Sequence, residues 1–220
     1  MTVAQQELCI GITFIVGAYL LGGIPFGFLI GKARGVDVRK VGSKNIGATN
    51  VFRTVGKGWG LLAFLLDVMK GMLPTFFVKA WVNDPELYPN WMWLPLVVGI
   101  TTVIGHMLTP YMKFKGGKGV ATAFGMLIAL MPAVVGIAFL IFAIVFAMFH
   151  YISLGSCMAA LFLAIAVWFP MLGIRGYEDI PQCILVTAIA AFIIWKHRSN
   201  IVRLINGTEN KIYLFKRKQQ

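Results

Sequence analysis

The chain has 220 residues, of which 59% are hydrophobic and only 13% are charged, and its mean hydropathy is +0.80. Soluble domains carry about 25% charged residues, so this composition excludes an ordinary soluble protein and predicts an all-α integral membrane protein. In a soluble chain, a formal net charge of +12 would suggest nucleic-acid binding. In a membrane protein, cations retained on the cytoplasmic side explain it better, and we expect no nucleic-acid partner.

Seven apolar stretches, bounded by polar or turn-forming residues, are predicted to be transmembrane helices. The predicted spans are about 10–31, 58–82, 92–112, 120–131, 133–149, 154–170 and 180–195. Together they form a polytopic bundle in a single domain, 1–220. The fourth stretch is too short to cross a bilayer alone. It is therefore predicted to be a short or broken helix whose glycine-rich N-terminus lines a polar site.

The first predicted span contains glycines at intervals of four residues, at Gly23, Gly27 and Gly31. Such a stripe of small residues permits close packing between helices, which is the function we expect for it. Pro25 interrupts the same span and predicts a kink near its end.

Two predicted spans carry polar residues that could be structural or functional. Asp67 and Lys70 lie three residues apart in the second span, so they share a helix face and can neutralise each other. Intramembrane charges often mark function, but a self-paired structural couple explains these equally well. His106 in the third span is a lone histidine, for which a structural role is expected. We leave all three residues outside the predicted site.

The distribution of cations predicts the orientation in the membrane. Seventeen of the 20 Lys and Arg residues lie in the loops 32–57 and 113–119 and in the tail 196–220. With seven spans these segments share one side, which the positive-inside rule assigns to the cytoplasm. The N-terminus is then outside and the C-terminus cytoplasmic. The other side has acidic turns at 83–88 and 171–180.

The segment 41–53, VGSKNIGATNVFR, is polar, basic and rich in glycine. It contains no carboxylate. Its hydroxyls, amides and cations are Ser43, Thr49, Asn45, Asn50, Lys44 and Arg53. Hydrogen-bond donors, a flexible backbone and positive charge together indicate an anion site, and phosphate is the usual anion.

A second basic segment, 113–122, contains the sequence GlyGlyLysGly at 116–119. Its glycines allow backbone N–H groups to approach phosphate oxygens, Lys118 adds a charge, and a helix starting near Val120 adds its positive end. The alternative is a flexible turn with cytoplasmic lysines. Gly42 and Gly47 have the glycine spacing of a Walker nucleotide loop, but Ala48 and Thr49 follow, whereas the loop requires Lys before the Ser or Thr. The segment 113–122 lacks the leading glycine at the right distance, so ATP is not supported as a substrate.

A third basic segment, 196–209, opens with a run of residues compatible with a helix. His197, Asn200 and Arg203 are three residues apart and can line one helix face. The imidazole can donate to an oxyanion or move a proton near neutral pH. A basic helix at the membrane edge is the alternative.

Several kinds of reactive group are missing from the sequence. There is no serine in a nucleophile elbow, no His-x4-Asp pair and no carboxylate cluster able to hold a metal. We therefore expect no bound metal. Any chemistry at this site would proceed by positioning and charge stabilisation.

The three segments resemble the signatures of the bacterial acyl-phosphate:glycerol-3-phosphate acyltransferases, the PlsY type. The matching stretches are GSKNIGATNVFR at 42–53, FKGGKGVAT at 114–122 and HRSNIVRLINGTE at 197–209. Their order, their spacing and the sevenfold hydrophobic pattern also match, so the resemblance covers essentially the whole chain.

The resemblance implies transfer of a fatty acyl group from acyl phosphate to the 1-hydroxyl of glycerol 3-phosphate. The products would be lysophosphatidic acid and inorganic phosphate, in the first step of phospholipid biosynthesis. It also implies a multi-pass monomer in the bacterial cytoplasmic (inner) membrane, without cofactors, with its active site facing the cytoplasm. Its partners would be the two substrates, membrane lipid and, functionally, an enzyme that produces acyl phosphate.

The same resemblance assigns roles to individual residues. Ser43, Arg53 and Lys115 would hold phosphate groups, and Ser153 would assist them. Residues 116–119 would approach the acyl phosphate, His197 would orient or stabilise the reacting centre, and Asn200 and Glu209 would support the third segment. The catalytic candidates are thus Ser43, Arg53, Lys115 and His197. The substrate-binding candidates are Asn45, Thr49, Asn50, Gly116, Gly117, Lys118, Gly119, Ser153, Asn200, Arg203 and Glu209.

A transporter or channel for an organic phosphate anion is the rival interpretation. A short helix broken by proline fits it, because transporters aim the N-termini of broken helices at anions. Against it, an odd number of spans gives no evident inverted repeat, and the polar residues lie at one face of the membrane instead of its midplane. A membrane scaffold without a site would leave the donor-rich segment 41–53 unexplained.

Overall fold

The computed structural model describes residues 3–84, 91–170 and 179–212, and every regular element within these ranges is a helix. The α-helices are α1 Val3–Gly23, α2 Phe26–Ala33, α3 Ala48–Thr54, α4 Lys57–Trp81, α5 Leu94–Met107, α6 Val120–Leu130, α7 Pro132–Phe149, α8 Ile152–Ala166, α9 Ile180–Lys196 and α10 Arg198–Ile205. Parts of the predicted acidic turns 83–88 and 171–180, namely 85–88 and 171–178, and the end of the basic tail from residue 213 lie outside the described residues.

Each predicted span corresponds to a helix, with two differences. The first span is divided at Ile24–Pro25 into α1 and α2, because proline has no N–H to continue the helical hydrogen bonds. The third span stops at Met107 and is followed by a short 3-10 turn, Pro110–Met112. The helix α3, which covers the end of the segment 41–53 and continues to Thr54, was not predicted.

Four helical stretches are long and apolar enough to cross a membrane: Gln5–Ala33, Lys57–Trp81, Leu94–Met112 and Pro132–Phe149. The pair α9 and α10, bent by 53°, would make a fifth. The helices α6 and α8 are apolar but shorter, with 11 and 15 residues. The described residues therefore agree with a helical membrane protein, and α6 has the short length predicted for the fourth helix.

The chain divides into two compact units, Met1–Leu130 and Met131–Gln220, and the single domain stays a prediction. In the first unit, α4 packs against α3, α5 and α6, while α1 packs against α5. The contact between α4 and α6 is close because glycines face backbone on both sides. A Cβ on Gly71 would overlap the carbonyl oxygen of Thr122, and one on Gly125 would overlap that of Val68.

The sequence predicted that these glycines pack against another helix, but those of α2 lie mainly against a loop, and only Gly27 of the two also faces a helical residue, Val51 of α3. Gly27 faces the carbonyl oxygen of Ile46, and Gly31 faces the side chain of Val38. Both therefore lie against the loop that follows α2 in the chain. This packing holds the first predicted motif segment directly against the helix that leads into it.

In the second unit, α8 packs against both α7 and α9. Gly155 of α8 lies against Phe142 of α7, and the side chain of Asp179 accepts the backbone N–H of Gln182 at the start of α9. The bend between α9 and α10 occurs at His197, which ends the first helix and precedes the second.

Candidate active site

Asn50 organises the loop that carries Ser43. Its Nδ2 donates to the carbonyl oxygens of Val38, Val41 and Asn45 at 2.8, 3.2 and 2.9 Å, and its Oδ1 accepts the N–H of Ser43 at 2.8 Å. Through these four hydrogen bonds the Asn50 side chain fixes the conformation of the loop. The substrate contact predicted for Asn50 stays a prediction that this geometry does not favour.

The other candidates of this segment differ in exposure. The hydroxyl-bearing Ser43 is exposed, whereas Asn45, Thr49 and Arg53 are half-buried. Asn45 accepts the N–H of Gly47 at 2.8 Å just before α3, and Arg53 lies in the last turn of α3. The short helix therefore places Thr49, Asn50 and Arg53 on one rigid element.

The glycine segment is attached to the end of α5. Gly116 N–H donates to Met107 O and Gly117 N–H donates to His106 O, both at 3.1 Å. These two N–H groups therefore already have partners within the protein. The anion cradle expected from them would depend instead on Lys118, on Gly119, whose φ of +82° is left-handed, and on the start of α6.

A cleft of about 430 Å³ brings the first two motif segments together. It is lined by Arg39, Lys44, Asn45, Ile46, Tyr111, Met112, Lys113, Lys115 and Gly116. Four of these residues are cationic. Lys44 and Lys113 both have left-handed backbones, with φ of 57° and 52°, which is uncommon for residues with a side chain and often accompanies function.

One acidic residue lies beside this cleft. Asp37 bonds Arg39, with 2.8 Å between Oδ2 and the guanidinium Nη2. The hydrogen bond from the Arg39 side chain lowers the pKa of Asp37 to about 2, so the carboxylate stays ionised at neutral pH. The pair is exposed, and Lys44, Lys113 and Lys115 leave the lining of the cleft with an excess of positive charge.

A buried ionic cluster lies beneath the glycine segment. Asp67, Lys70 and His106 are only 2%, 3% and 6% exposed. Lys70 Nζ lies 2.8 Å from Asp67 Oδ1, and His106 Nδ1 lies 3.6 Å from the same oxygen. These three residues lie outside the site that is predicted from the sequence. The sequence signal that could have identified Asp67 and Lys70 as functional is the presence of charged side chains within a predicted span. The contact between His106 and the glycine segment depends on the tertiary fold.

The second unit gathers three predicted residues around the carboxylate of a fourth, Glu209. Oε1 accepts from Ser153 Oγ at 3.2 Å and from Asn200 Nδ2 at 2.8 Å, while Oε2 accepts from Arg203 Nε at 2.7 Å. Burial alone would raise the pKa of Glu209, but the hydrogen bonds from Asn200, Arg203 and Ser153 outweigh it, so the pKa is lowered. The cluster ties α10 to α8 and to the end of the third motif segment.

His197 lies at the bend between α9 and α10 and is only 4% exposed. Its Nδ1 is 2.9 Å from the carbonyl oxygen of Ile193. A carbonyl oxygen can only accept, so Nδ1 carries the proton in this contact. The ring is thereby held in one orientation, with Nε2 as its other polar atom, while its predicted role toward a substrate stays a prediction.

The chain is similar over most of its length to proteins of one known family. The family model described as glycerol-3-phosphate acyltransferase matches residues 12–207. A glycerol-3-phosphate acyltransferase of Trichlorobacter lovleyi is 46% identical over 91% of this chain and 97% of its own length. The enzyme of that name from Aquifex aeolicus is 41% identical, over 90% of this chain and 96% of its own length.

Two solved structures have the same fold. A crystal structure of PlsY (YgiH), an integral membrane glycerol 3-phosphate acyltransferase, in its glycerol 3-phosphate form, aligns with a TM-score of 0.80 and 36% identity, covering 92% of this chain and 96% of that one. A lysophosphatidic acid form aligns at 0.75 and 37%, covering 92% and 95%. The match spans nearly the whole of both chains, so this protein belongs to the glycerol-3-phosphate acyltransferase family of PlsY type, a family of integral membrane acyltransferases.

Proposed function

We propose that this protein transfers a fatty acyl group from acyl phosphate to the 1-hydroxyl of glycerol 3-phosphate. The observation that carries the proposal is the basic cleft of the first unit, which is lined by both segments 39–46 and 111–116. Both substrates carry phosphate, which such a cleft attracts. The glycerol 3-phosphate and lysophosphatidic acid forms of the solved relatives support the acceptor and the product.

The reaction exchanges one acyl–oxygen bond for another. The 1-hydroxyl oxygen forms an ester bond to the acyl carbon, and the bond from that carbon to the phosphate oxygen breaks. Inorganic phosphate leaves with the bonding electrons. A mixed anhydride already has a good leaving group, so a covalent acyl-enzyme is unnecessary.

The protein's contribution is charge stabilisation and positioning. Cations such as Arg53 and Lys115 would neutralise phosphate charge as the acyl bond breaks, and the rigid loop around Ser43 would orient a substrate. Glu209 is the carboxylate within the third motif segment, and it already accepts three hydrogen bonds. We therefore propose that a substrate phosphate takes the hydroxyl proton. If glycerol without its phosphate reacted at an unchanged rate, this idea would fail.

The test uses purified protein with palmitoyl phosphate and radiolabelled glycerol 3-phosphate. We expect lysophosphatidic acid and inorganic phosphate in equal amounts, no product with acyl-CoA as donor, and no loss of activity with a chelator. Incubation with palmitoyl phosphate alone should leave the protein unacylated. If no lysophosphatidic acid forms, the proposal is wrong, and uptake of glycerol 3-phosphate into proteoliposomes would then favour the transporter.

We further propose seven spans, counting α6 and α8, in a monomer with a cytoplasmic site in the inner membrane. Excess cations in the loops 32–57 and 113–119 support this orientation. In a cysteine-free variant, Lys44→Cys should react with a membrane-impermeant maleimide only in inside-out vesicles, and Asn83→Cys only in intact cells. Labelling of both from the same side would contradict the proposed topology.

A further inference from the structure

We propose that Asp67 and His106 are positioning residues that hold the glycine segment 116–119 in its working conformation. Lys70 extends the same cluster toward the first motif segment. The inference rests on the proposed acyl transfer for its kinetic test, but its structural test does not require activity.

His106 lies in direct contact with the glycine segment. A Cβ on Gly117 would overlap Nε2 of the His106 ring, and Gly117 N–H donates to the carbonyl oxygen of the same histidine. A Cβ on Gly116 would likewise overlap His106 O. Both the ring and the backbone of His106 therefore determine where the glycines can lie.

The carboxylate of Asp67 orients the His106 ring. His106 Nδ1 faces Asp67 Oδ1 at 3.6 Å, so the carboxylate of α4 and the glycine segment lie at opposite nitrogens of one imidazole. This arrangement resembles the way in which carboxylates set the orientation of histidine ligands at other sites. A change at Asp67 would consequently reach Gly117 through the ring.

Lys70 connects the cluster to the other side of the cleft. Lys70 Nζ, besides pairing with Asp67, donates to the carbonyl oxygen of Ile24 at 2.7 Å. That carbonyl lies at the break between α1 and α2. The helix α2 leads into the first motif segment, and Gly27 of α2 lies against the carbonyl oxygen of Ile46 in that segment. One buried cluster therefore contacts the elements that carry both motif segments of the cleft.

Stability alone is a poor explanation for such a cluster. Buried ion pairs lose solvation, and replacing them with apolar residues is often neutral or stabilising. Precise placement has a different benefit, because a displacement of about 1 Å at a reacting centre can reduce turnover about 100-fold. The cluster supplies orientation where an apolar core would supply only packing.

A double-mutant cycle tests the proposal in the purified full-length protein. Gly117→Ala should lower kcat about 100-fold in the wild-type background, because its Cβ displaces the segment from His106. His106→Asn keeps a donor near the position of Nδ1 but removes Nε2, so it makes room for the new methyl group. In that background, Gly117→Ala should cost less than about threefold.

Hydrogen–deuterium exchange provides the readout that does not depend on activity. Asp67→Asn should increase exchange at 113–119 relative to the wild type, while exchange in α7 and α8 stays unchanged. Thr102→Val is the matched control, because Thr102 is buried in α5 and its hydroxyl, among the residues that the structure describes, bonds to Val98 O in the same helix. That variant should leave both exchange and kcat near wild type.

The possible outcomes separate the two proposals. Equal losses from Gly117→Ala in both backgrounds, or unchanged exchange at 113–119 in folded Asp67→Asn, would overturn the positioning role. Wild-type protein without acyl transfer would instead refute the proposed function, and the exchange experiment would still decide whether Asp67 holds the glycine segment.

Discussion

Asn50 and Ser43 are joined by a hydrogen bond in which Asn50 Oδ1 accepts the backbone N–H of Ser43 at 2.8 Å. The same side chain donates to carbonyl oxygens on both sides of Ser43. A buried amide in α3 therefore fixes the backbone around an exposed hydroxyl. The position of the Ser43 hydroxyl therefore depends on the whole loop that Asn50 holds.

Asn50→Ala should destabilise the protein and reduce kcat more than 10-fold, as measured by thermal unfolding and by the acyl transfer assay. Each buried partner left unsatisfied costs about 1–3 kcal/mol. Asn50→Asp should not restore activity, since it keeps the acceptor but loses the donors. The control Thr54→Ala removes the bond to Asn50 O within α3 and the methyl group that faces Gly42, but it leaves the Asn50 side chain paired, so it should retain far more activity than Asn50→Ala.

Arg53→Ala should lower turnover by orders of magnitude and raise the KM for glycerol 3-phosphate, measured by steady-state kinetics. An arginine can bind phosphate through two parallel hydrogen bonds, so Arg53→Lys should restore little. Lys40→Ala, which removes an exposed charge from the same loop, is the control. Equal effects of Arg53→Ala and Lys40→Ala would show that Arg53 contributes only general positive charge.

Lys115→Ala should impair substrate binding more than Lys118→Ala. Lys115 is exposed and lines the basic cleft, whereas Lys118 is half-buried and lies beyond that lining. We expect the KM for at least one phosphorylated substrate to rise about 10-fold in Lys115→Ala, because one charged contact contributes about 1.5–3 kcal/mol. A larger effect in Lys118→Ala would move the main phosphate contact into the glycine segment.

We expect the free energy of unfolding to depend on pH through Glu209. Its pKa lies below the ordinary value of 4.5, because the hydrogen bonds from Asn200 and Arg203 outweigh the effect of burial. The folded state therefore binds this proton less tightly than the unfolded state. The stabilising contribution is complete above pH 4.5 and is lost as the pH falls through the lower folded pKa.

Thermal unfolding from neutral pH downward checks this prediction. Glu209→Gln should be less stable than wild type at neutral pH, and the difference should shrink on acidification. Asp37→Asn provides a comparison, because the pKa of Asp37 is also lowered, to about 2, but its pair with Arg39 is exposed and such pairs contribute little. A constant difference between Glu209→Gln and wild type at all pH values would contradict the assignment.

Lys79 stabilises the end of the short helix α6. Its Nζ donates to the carbonyl oxygens of Ala129 and Leu130 at 2.9 and 3.2 Å, which otherwise lack partners within the helix. Lys79→Met should lower the free energy of unfolding by about 1 kcal/mol, measured by denaturant or thermal unfolding. Lys79→Arg should retain most of the stability, and equal loss in both variants would argue against this capping role.

The sequence by itself determined the helical membrane fold and the identity of the motif segments. Lipid cannot satisfy backbone polar groups, so long apolar stretches must be helical, and Pro25 and Pro132 mark helix boundaries through purely local chemistry. The sequence also predicts an anion site, because an excess of donors and cations in segments 41–53 and 113–122 is a property of composition. These conclusions require no knowledge of which segments touch.

The tertiary structure alone decided what each polar group contacts. Asn50 shapes a loop, the N–H groups of Gly116 and Gly117 bond to α5, and Asp67 meets both Lys70 and His106. Only the local pair Asp67 and Lys70 could be anticipated, from their spacing. The contacts of His106 with Asp67 and of Lys70 with Ile24 join residues that are 39 and 46 positions apart. Such partners depend on how helices pack, and periodicity along one helix carries no information about them.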